Sequence, residues 1–293
     1  MRLATVKVNG REIAGIVTET GIVLVETLNE KTGSAWSCEL FDIICKGEVP
    51  KLNDWYKKGG REILASCEAI PYDKVVYGPL YRNPQRIFGI GLNYADHAKD
   101  LGERTPTGIP GSFFKPATTI IGHGDNVELP LISNEVDGEG ELAVIIGKEC
   151  EDIEAKDWLD YVAGFTVSVD MTSLDILRQN PRYLTIAKSF KTFFCFGPQL
   201  VTPDEVEDVL KLKVQTIHNG KVHAENLVSN MTFPPDFLVS FISKVMKWLP
   251  GDVLSTGTPL AAHLHHGDTI AGHVSGFETL TCNVIDKKVV KKV

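Results

Sequence analysis

The sequence predicts an α+β fold, mostly β, in two unequal parts. Short β-branched apolar runs bounded by glycine recur along the chain, most clearly at 142–146 and 162–170, with the length of strands rather than buried helices. Asn-Gly pairs, the strongest local hairpin signal, stand between alternating segments at Asn9-Gly10 and Asn219-Gly220. Helical patterning is confined to short stretches, chiefly within 36–70 and 236–247.

The 293 residues suffice for one large domain or two unequal ones, and 43% hydrophobic with 23% charged residues is an ordinary globular balance. A formal charge of −8 argues against a nucleic-acid backbone or an anionic membrane as the main partner. A small anionic substrate would need local positive charge. No apolar run approaches the ~18 residues of a membrane span, and residues 1–10 alternate like a strand rather than a signal peptide. A cytoplasmic protein is therefore expected. Six scattered cysteines, Cys38, Cys45, Cys67, Cys150, Cys195 and Cys282, have no CxxC spacing and read as reduced structural thiols.

Taken in order, residues 1–28 alternate around Asn9-Gly10 and the turn at 19–21, which predicts hairpins. Leu40, Ile43 and Ile44, then Trp55, Ile63 and Leu64, suit the apolar faces of short helices. A proline-bracketed stretch at 79–84 marks the expected boundary between a small N-terminal domain, 1–80, and a larger one, 81–293. The larger part opens with a strand at 87–91 and a short helix for which Asn93 is the candidate N-cap. On that helix His97 and Asp100 are neighbours, where a carboxylate either favours the imidazolium or orients the ring as a base; the alternative is a plain surface pair. A Gly- and Pro-rich loop at 105–111 either closes over a site or connects elements. Lys115, between aromatic and proline neighbours, is either stretched to solvent or held for an anion.

The most informative stretch is 137–148, where Glu139 and Glu141 precede the apolar run. Two apart on a strand, they share a face, and two like charges entering a core cost several kcal/mol unless something positive sits between them. A divalent cation would remove that cost; a strand edge with two solvated glutamates is the alternative. Asp170, read as the last residue of the next core strand, would supply a third oxygen ligand, and three carboxylates with a few waters suit Mg²⁺ or Mn²⁺, with Ca²⁺ a further option. Lys188 is the candidate counter-charge. Phe196-Gly197-Pro198 reads as a turn and 204–209 as an acidic helical turn. Near the C-terminus a strand delivers Thr256, Gly257 and Thr258, whose N–H groups and hydroxyls either cradle a carboxylate or merely turn the chain. His263, His265 and His266 read as a polar turn.

Together the segments 89–97, 113–116 and 137–147, Asp170, 188–190, 197–198, 219–220, 250–252 and 256–259 resemble the fumarylacetoacetate hydrolase family, in its bacterial two-domain form related to acylpyruvate hydrolases and hydroxyheptadienedioate isomerases. The resemblance spans roughly residues 86–285. It implies a catalytic domain built as a mixed β-roll, a small N-terminal α+β domain and a homodimer. It also implies that Glu139, Glu141 and Asp170 bind Mg²⁺ or Mn²⁺, that Lys188 assists at the substrate and Thr258 holds its carboxylate, and that His97 on a lid segment activates water with Asp100. Tyr94, Lys115 and Gly257 join Thr258 as candidate substrate-binding residues. The departures are Asp100 in place of a glutamate, Leu174 in place of an arginine, and Lys191, Ala224, Ala261, Ala262 and His263 at further altered positions. Lys191 is the candidate to restore the charge missing at Leu174.

The expected activity is metal-dependent hydrolysis of a carbon–carbon bond in a small 2-oxo or 1,3-dioxo acid through an enolate. Decarboxylation or keto–enol tautomerisation of an oxaloacetate-type acid is the alternative, and a non-enzymatic binding protein that kept the fold is a third.

Overall fold

The computed structural model describes residues 1–100, 102 and 106–290, the side chain of Asp100 excepted. Its strands are β1 (Arg2–Val8), β2 (Arg11–Val17), β3 (Ile22–Leu24), β4 (Ile87–Gly91), β5 (Gly111–Lys115), β6 (Ile120–Ile121), β7 (Asn126–Leu129), β8 (Val136–Ile146), β9 (Val162–Ser173), β10 (Phe194–Val201), β11 (Lys213–His218), β12 (Lys221–Leu227), β13 (Val253–Ser255), β14 (Ala262–His263), β15 (Thr269–Val274) and β16 (Leu280–Asp286). An 11-stranded sheet runs in the order β3-β2-β1-β10-β9-β8-β13-β4-β5, with β6 on β10 and β14 on β8; a 5-stranded sheet runs β12-β11-β15-β16-β7. The chain thus adopts the expected mostly β, α+β fold.

Local chemistry explains the hairpins. Asn9 and Gly10 take φ of 49° and 77° between β1 and β2, and Asn219 and Gly220 take 50° and 73° between β11 and β12, left-handed pairs of the kind a tight hairpin requires. The short N-terminal helices form where expected, at Leu40–Cys45, Val49–Trp55 and Arg61–Ala65. They pack on the large sheet, to which β1 is joined by pairing with β10, so the first 80 residues share a sheet and a core with the larger part of the chain.

β8 and β9 form the centre. They pair antiparallel from Val136↔Ser173 to Ile146↔Val162, and every residue of both is buried. Leu142, Val144 and Ile146 enter the core between the two sheets, whereas Ala143 and Ile145 enter the core beneath the N-terminal helices. Covered on both faces, the strand reads as a continuous apolar run rather than an alternating one.

Several expectations change. Asp170 is not terminal, because pairing with the long β8 carries β9 on to Ser173. Phe196-Gly197-Pro198 lies inside β10, where the register against β9 shifts, rather than in a turn. Asn93 does not cap the helix Ala95–Asp100: its amide donates to the carbonyls of Thr256 (2.7 Å) and Phe233 (3.0 Å) and its oxygen accepts from the Phe233 N–H. These long-range bonds tie the start of that helix to the loop after β13. All six cysteines are free. No helix among the described residues is long and apolar enough to cross a membrane.

Candidate active site

The register that pairs Glu139 with Asp170, and the two-residue spacing to Glu141, bring three carboxylates to one face of the β8–β9 pair. Each offers an oxygen within 4.8 Å of the others, and all three residues are buried. The Gly138-Glu139-Gly140-Glu141 alternation accounts for this. A Cβ added at Gly140 would stand 2.4 Å from the Gln215 carbonyl oxygen, and one at Gly138 2.7 Å from the Ile270 side chain. The glycines let the second sheet close on one side of β8 while the glutamates project from the other. With β9 and β13 on either side of β8, solvated edge glutamates are excluded.

Two ammonium groups answer the carboxylates. Lys188 Nζ donates to Glu139 Oε2 and to Asp170 Oδ2, each at 2.6 Å. Lys115 Nζ donates to Asp170 Oδ1 and, at 3.1 Å, to the Met171 carbonyl. Lys115 is therefore held by an anion, and the anion belongs to the site itself. Burial would raise the Asp170 carboxyl, yet Lys115 and Lys188 together hold it below its usual value. Burial likewise opposes the Lys188 ammonium, but Asp170 and Glu139 outweigh it and raise its pKa. At Lys115 burial wins over Asp170 and lowers the value to about 8.

Glu141 is the uncompensated member. Burial, then the charges of Asp170 and Glu139, push its carboxyl up to about 8, although Ser255 Oγ (2.5 Å) and the Gly257 N–H (3.0 Å) donate to Oε2. Three converging carboxylates, one short of positive charge, are a hard-oxygen donor set that fits Mg²⁺ or Mn²⁺ and accommodates Ca²⁺. Glu139, Glu141 and Asp170 would hold such an ion; they are the one cluster of this kind among the described residues.

A cavity of about 420 Å³ opens over the cluster, lined at its polar end by His97, Glu139, Glu141, Thr172, Lys188 and Thr258. His97 Nε2 lies 3.9 Å from Glu139 Oε1, and Thr172 Oγ1 donates to that oxygen at 3.2 Å. The side chain of Asp100, the expected partner of His97, lies outside the described residues, as does Thr105 in the loop expected at 105–111.

Among the candidate substrate contacts, only Thr258 lines the cavity, its hydroxyl 3.1 Å from that of Thr216. The expected backbone cradle is reduced to this residue, because the Gly257 N–H serves Glu141 and the Thr256 N–H serves the Leu142 carbonyl. Gly257 contributes instead by conformation: its φ is 98°, and a Cβ there would stand 2.8 Å from Asn93 Cβ. Tyr94 is fully buried and absent from the cavity wall; burial, then Glu141, push its hydroxyl far above the ordinary range. Lys115 is also off the wall, held beneath it by Asp170. Lys191 does not restore charge at Leu174, since it pairs with Glu128 at 3.3 Å on the surface while Leu174 lines the cavity. His263 lies in β14, paired with Asp137 of β8, rather than in the expected polar turn, and its Nδ1 stands 2.9 Å from Asp137 Oδ1.

Sequence reasoning missed Ser255 and Arg182. Ser255 is readable only once β13 is registered against β8, opposite Ala143. Arg182 sits in the turn before the helix Thr185–Lys188, and nothing local marks it as a cavity residue.

Comparison with known proteins accords with this geometry. Residues 86–285 match the family described as fumarylacetoacetate (FAA) hydrolase C-terminal. The chain is 37% identical over 199 residues to the mitochondrial oxaloacetate tautomerase Fahd2a of Rattus norvegicus, a match spanning 68% of this chain and 63% of that protein. It therefore spans less than two thirds of that relative. The structure of maleylpyruvate hydrolase from Sphingobium sp. SYK-6, in complex with manganese (II) ion and pyruvate, superposes with a TM-score of 0.79 at 26% identity, covering 98% of this chain and 99% of that one. The 5-carboxymethyl-2-hydroxymuconate delta-isomerase of Mycobacterium smegmatis superposes with a TM-score of 0.73 at 27% identity, over the same shares.

Proposed function

The chain belongs to the fumarylacetoacetate hydrolase family, and from that premise we propose that it hydrolyses the carbon–carbon bond of an acylpyruvate-type 1,3-dioxo acid in a divalent-metal-dependent reaction. One observation carries the reading: a buried carboxylate cluster with a lysine on it lies under a cavity of about 420 Å³ whose wall also carries His97. Glu139, Glu141 and Asp170 would hold the ion, which would supply Lewis acidity for enolate formation.

The remaining chemistry belongs to the chain. His97 lines the cavity with its Nε2 3.9 Å from Glu139 Oε1, and its ring takes a proton from water. The hydroxyl adds to the distal carbonyl carbon, and the bond between that carbon and the pyruvate C3 breaks. Its electron pair passes into the pyruvate unit, which then takes up a proton at C3, giving one carboxylic acid and one pyruvate for each water consumed. The Lys188 ammonium, kept charged by Glu139 and Asp170, faces the cavity and offsets the developing enolate charge. Thr258 positions the substrate carboxylate.

Mass spectrometry of products from acylpyruvates, with Mg²⁺ and with a chelated control, tests the reading. Pyruvate plus a free acid, dependent on metal, is the expected result; unchanged substrate across a chain-length series would overturn it. The rat tautomerase relative favours a second reading, keto–enol isomerisation of a 2-oxo acid, with His97 moving the proton and no water consumed. Enol decay without carbon fragments would decide for that reading.

A further inference from the structure

We propose that Arg182 is the specificity-determining residue of this cavity and selects substrates whose far end carries a second carboxylate. The inference rests on the 2-oxo acid reading above and extends it to the other end of the substrate. The carboxylate cluster is buried at one end of the cavity, whereas Arg182 is an exposed residue on its wall, so the guanidinium belongs to the open end. Much of the remaining wall is apolar, with Phe113, Leu174, Leu177, Pro181 and Leu184 on it. That arrangement fits an acid with a 2-oxo head, a short apolar middle and an anionic tail.

The other cations nearby are already engaged. Lys188 is bound by Glu139 and Asp170, and Lys115 by Asp170 beneath the wall. Arg178, in the same turn segment, makes a two-pronged pair with Glu135 at 2.5 and 2.9 Å, and Lys191 pairs with Glu128. Among the described residues no carboxylate pairs with Arg182. An arginine fork stays charged at any working pH and matches a carboxylate with two parallel N–H donors. Pro181, immediately before it, limits the backbone freedom of the turn that presents it.

The test uses the full chain with Mg²⁺ and compares wild type with Arg182→Leu and Arg182→Lys. In turnover, acylpyruvates of equal length ending in a carboxylate or in a methyl group are compared. The wild type is expected to favour the diacid by about 10- to 100-fold in kcat/KM, mainly through KM, as a charge-assisted hydrogen-bonded pair implies. Arg182→Leu should bring that ratio close to one, and Arg182→Lys should restore part of it. In parallel, calorimetry compares binding of 2-oxoadipate with that of 2-oxohexanoate, neither of which has the bond to be hydrolysed. The same loss of preference in Arg182→Leu is expected there. A wild-type preference that survives Arg182→Leu, or no preference for the diacid in binding, would overturn the assignment. If acylpyruvates are not turned over while the binding preference behaves as stated, the hydrolase reading fails and the role of Arg182 stands.

Discussion

The two ends of the cavity are built by opposite means. The carboxylate floor stands on β8 and β9, two fully buried strands in continuous register, and its charges are cross-braced by Lys115, Lys188, Ser255 and the Gly257 N–H. The rim comes from residues 174–184, the helix Leu174–Leu177 and the turn leading to the helix Thr185–Lys188, with apolar side chains and Arg182. Removing a lysine or a carboxylate paired with one unbalances buried charge, so the floor admits little variation. Substituting a rim residue leaves only a partly solvated surface. On the proposed reading, chemistry belongs to the sheet and substrate choice to the connection above it.

The largest expected effect breaks the floor. Glu139→Gln removes one metal donor and one Lys188 partner, and calorimetry with Mg²⁺ and steady-state kinetics should both show a loss of more than about 100-fold. Full activity without metal in this variant would end the metal-site reading. Next come the two lysines, which divide the floor itself. Lys188→Met and Lys115→Met should each destabilise the metal-free protein by about 1–3 kcal/mol, because Asp170 then keeps only one of its two ammonium partners. Only Lys188 reaches the cavity, so its loss should also cost about 10²- to 10³-fold in kcat, while Lys115→Met acts mostly on Tm and metal affinity. Equal kcat losses would contradict that division.

A pH effect of intermediate size belongs to Glu141. Its carboxyl is raised to about 8 in the fold, from roughly 4.3 in an unfolded chain. The fold therefore favours the neutral acid. That stabilisation is complete below the unfolded value and is lost as pH rises through the folded one. The metal-free protein should lose Tm between roughly pH 5 and 8, while divalent-cation affinity rises over the same window, because the ion binds the carboxylate. Thermal melts and metal titrations at several pH values check this, and Glu141→Gln should flatten both profiles. The smallest effect is expected at the rim: Leu184→Ala should change KM by less than about tenfold and cost only ~1 kcal/mol of stability. A rim substitution as damaging as one in the floor would erase the contrast.

Much of the floor was legible before folding. The period of two along a strand placed Glu139 and Glu141 on one face, the cost of buried like charge called for a cation, and β-branched runs identified both central strands. The hairpins at Asn9-Gly10 and Asn219-Gly220 were equally plain, because their turns demand left-handed residues. Less was visible where a residue serves a distant partner. Asn93 looked like a helix cap and instead joins Thr256 and Phe233; Lys191 looked like a replacement charge and instead faces Glu128.

What the amino-acid sequence determined by itself was therefore everything governed by near neighbours: the strands, their turns, and the shared face of the two glutamates. The tertiary structure alone decided that Asp170 stands opposite Glu139, that the Gly257 N–H turns to Glu141 rather than to a ligand, and that Arg182 shares a cavity wall with Leu174. The physical reason is that register and cavity walls arise from pairing between segments far apart in the chain, where local propensity carries no information about which side chains will meet.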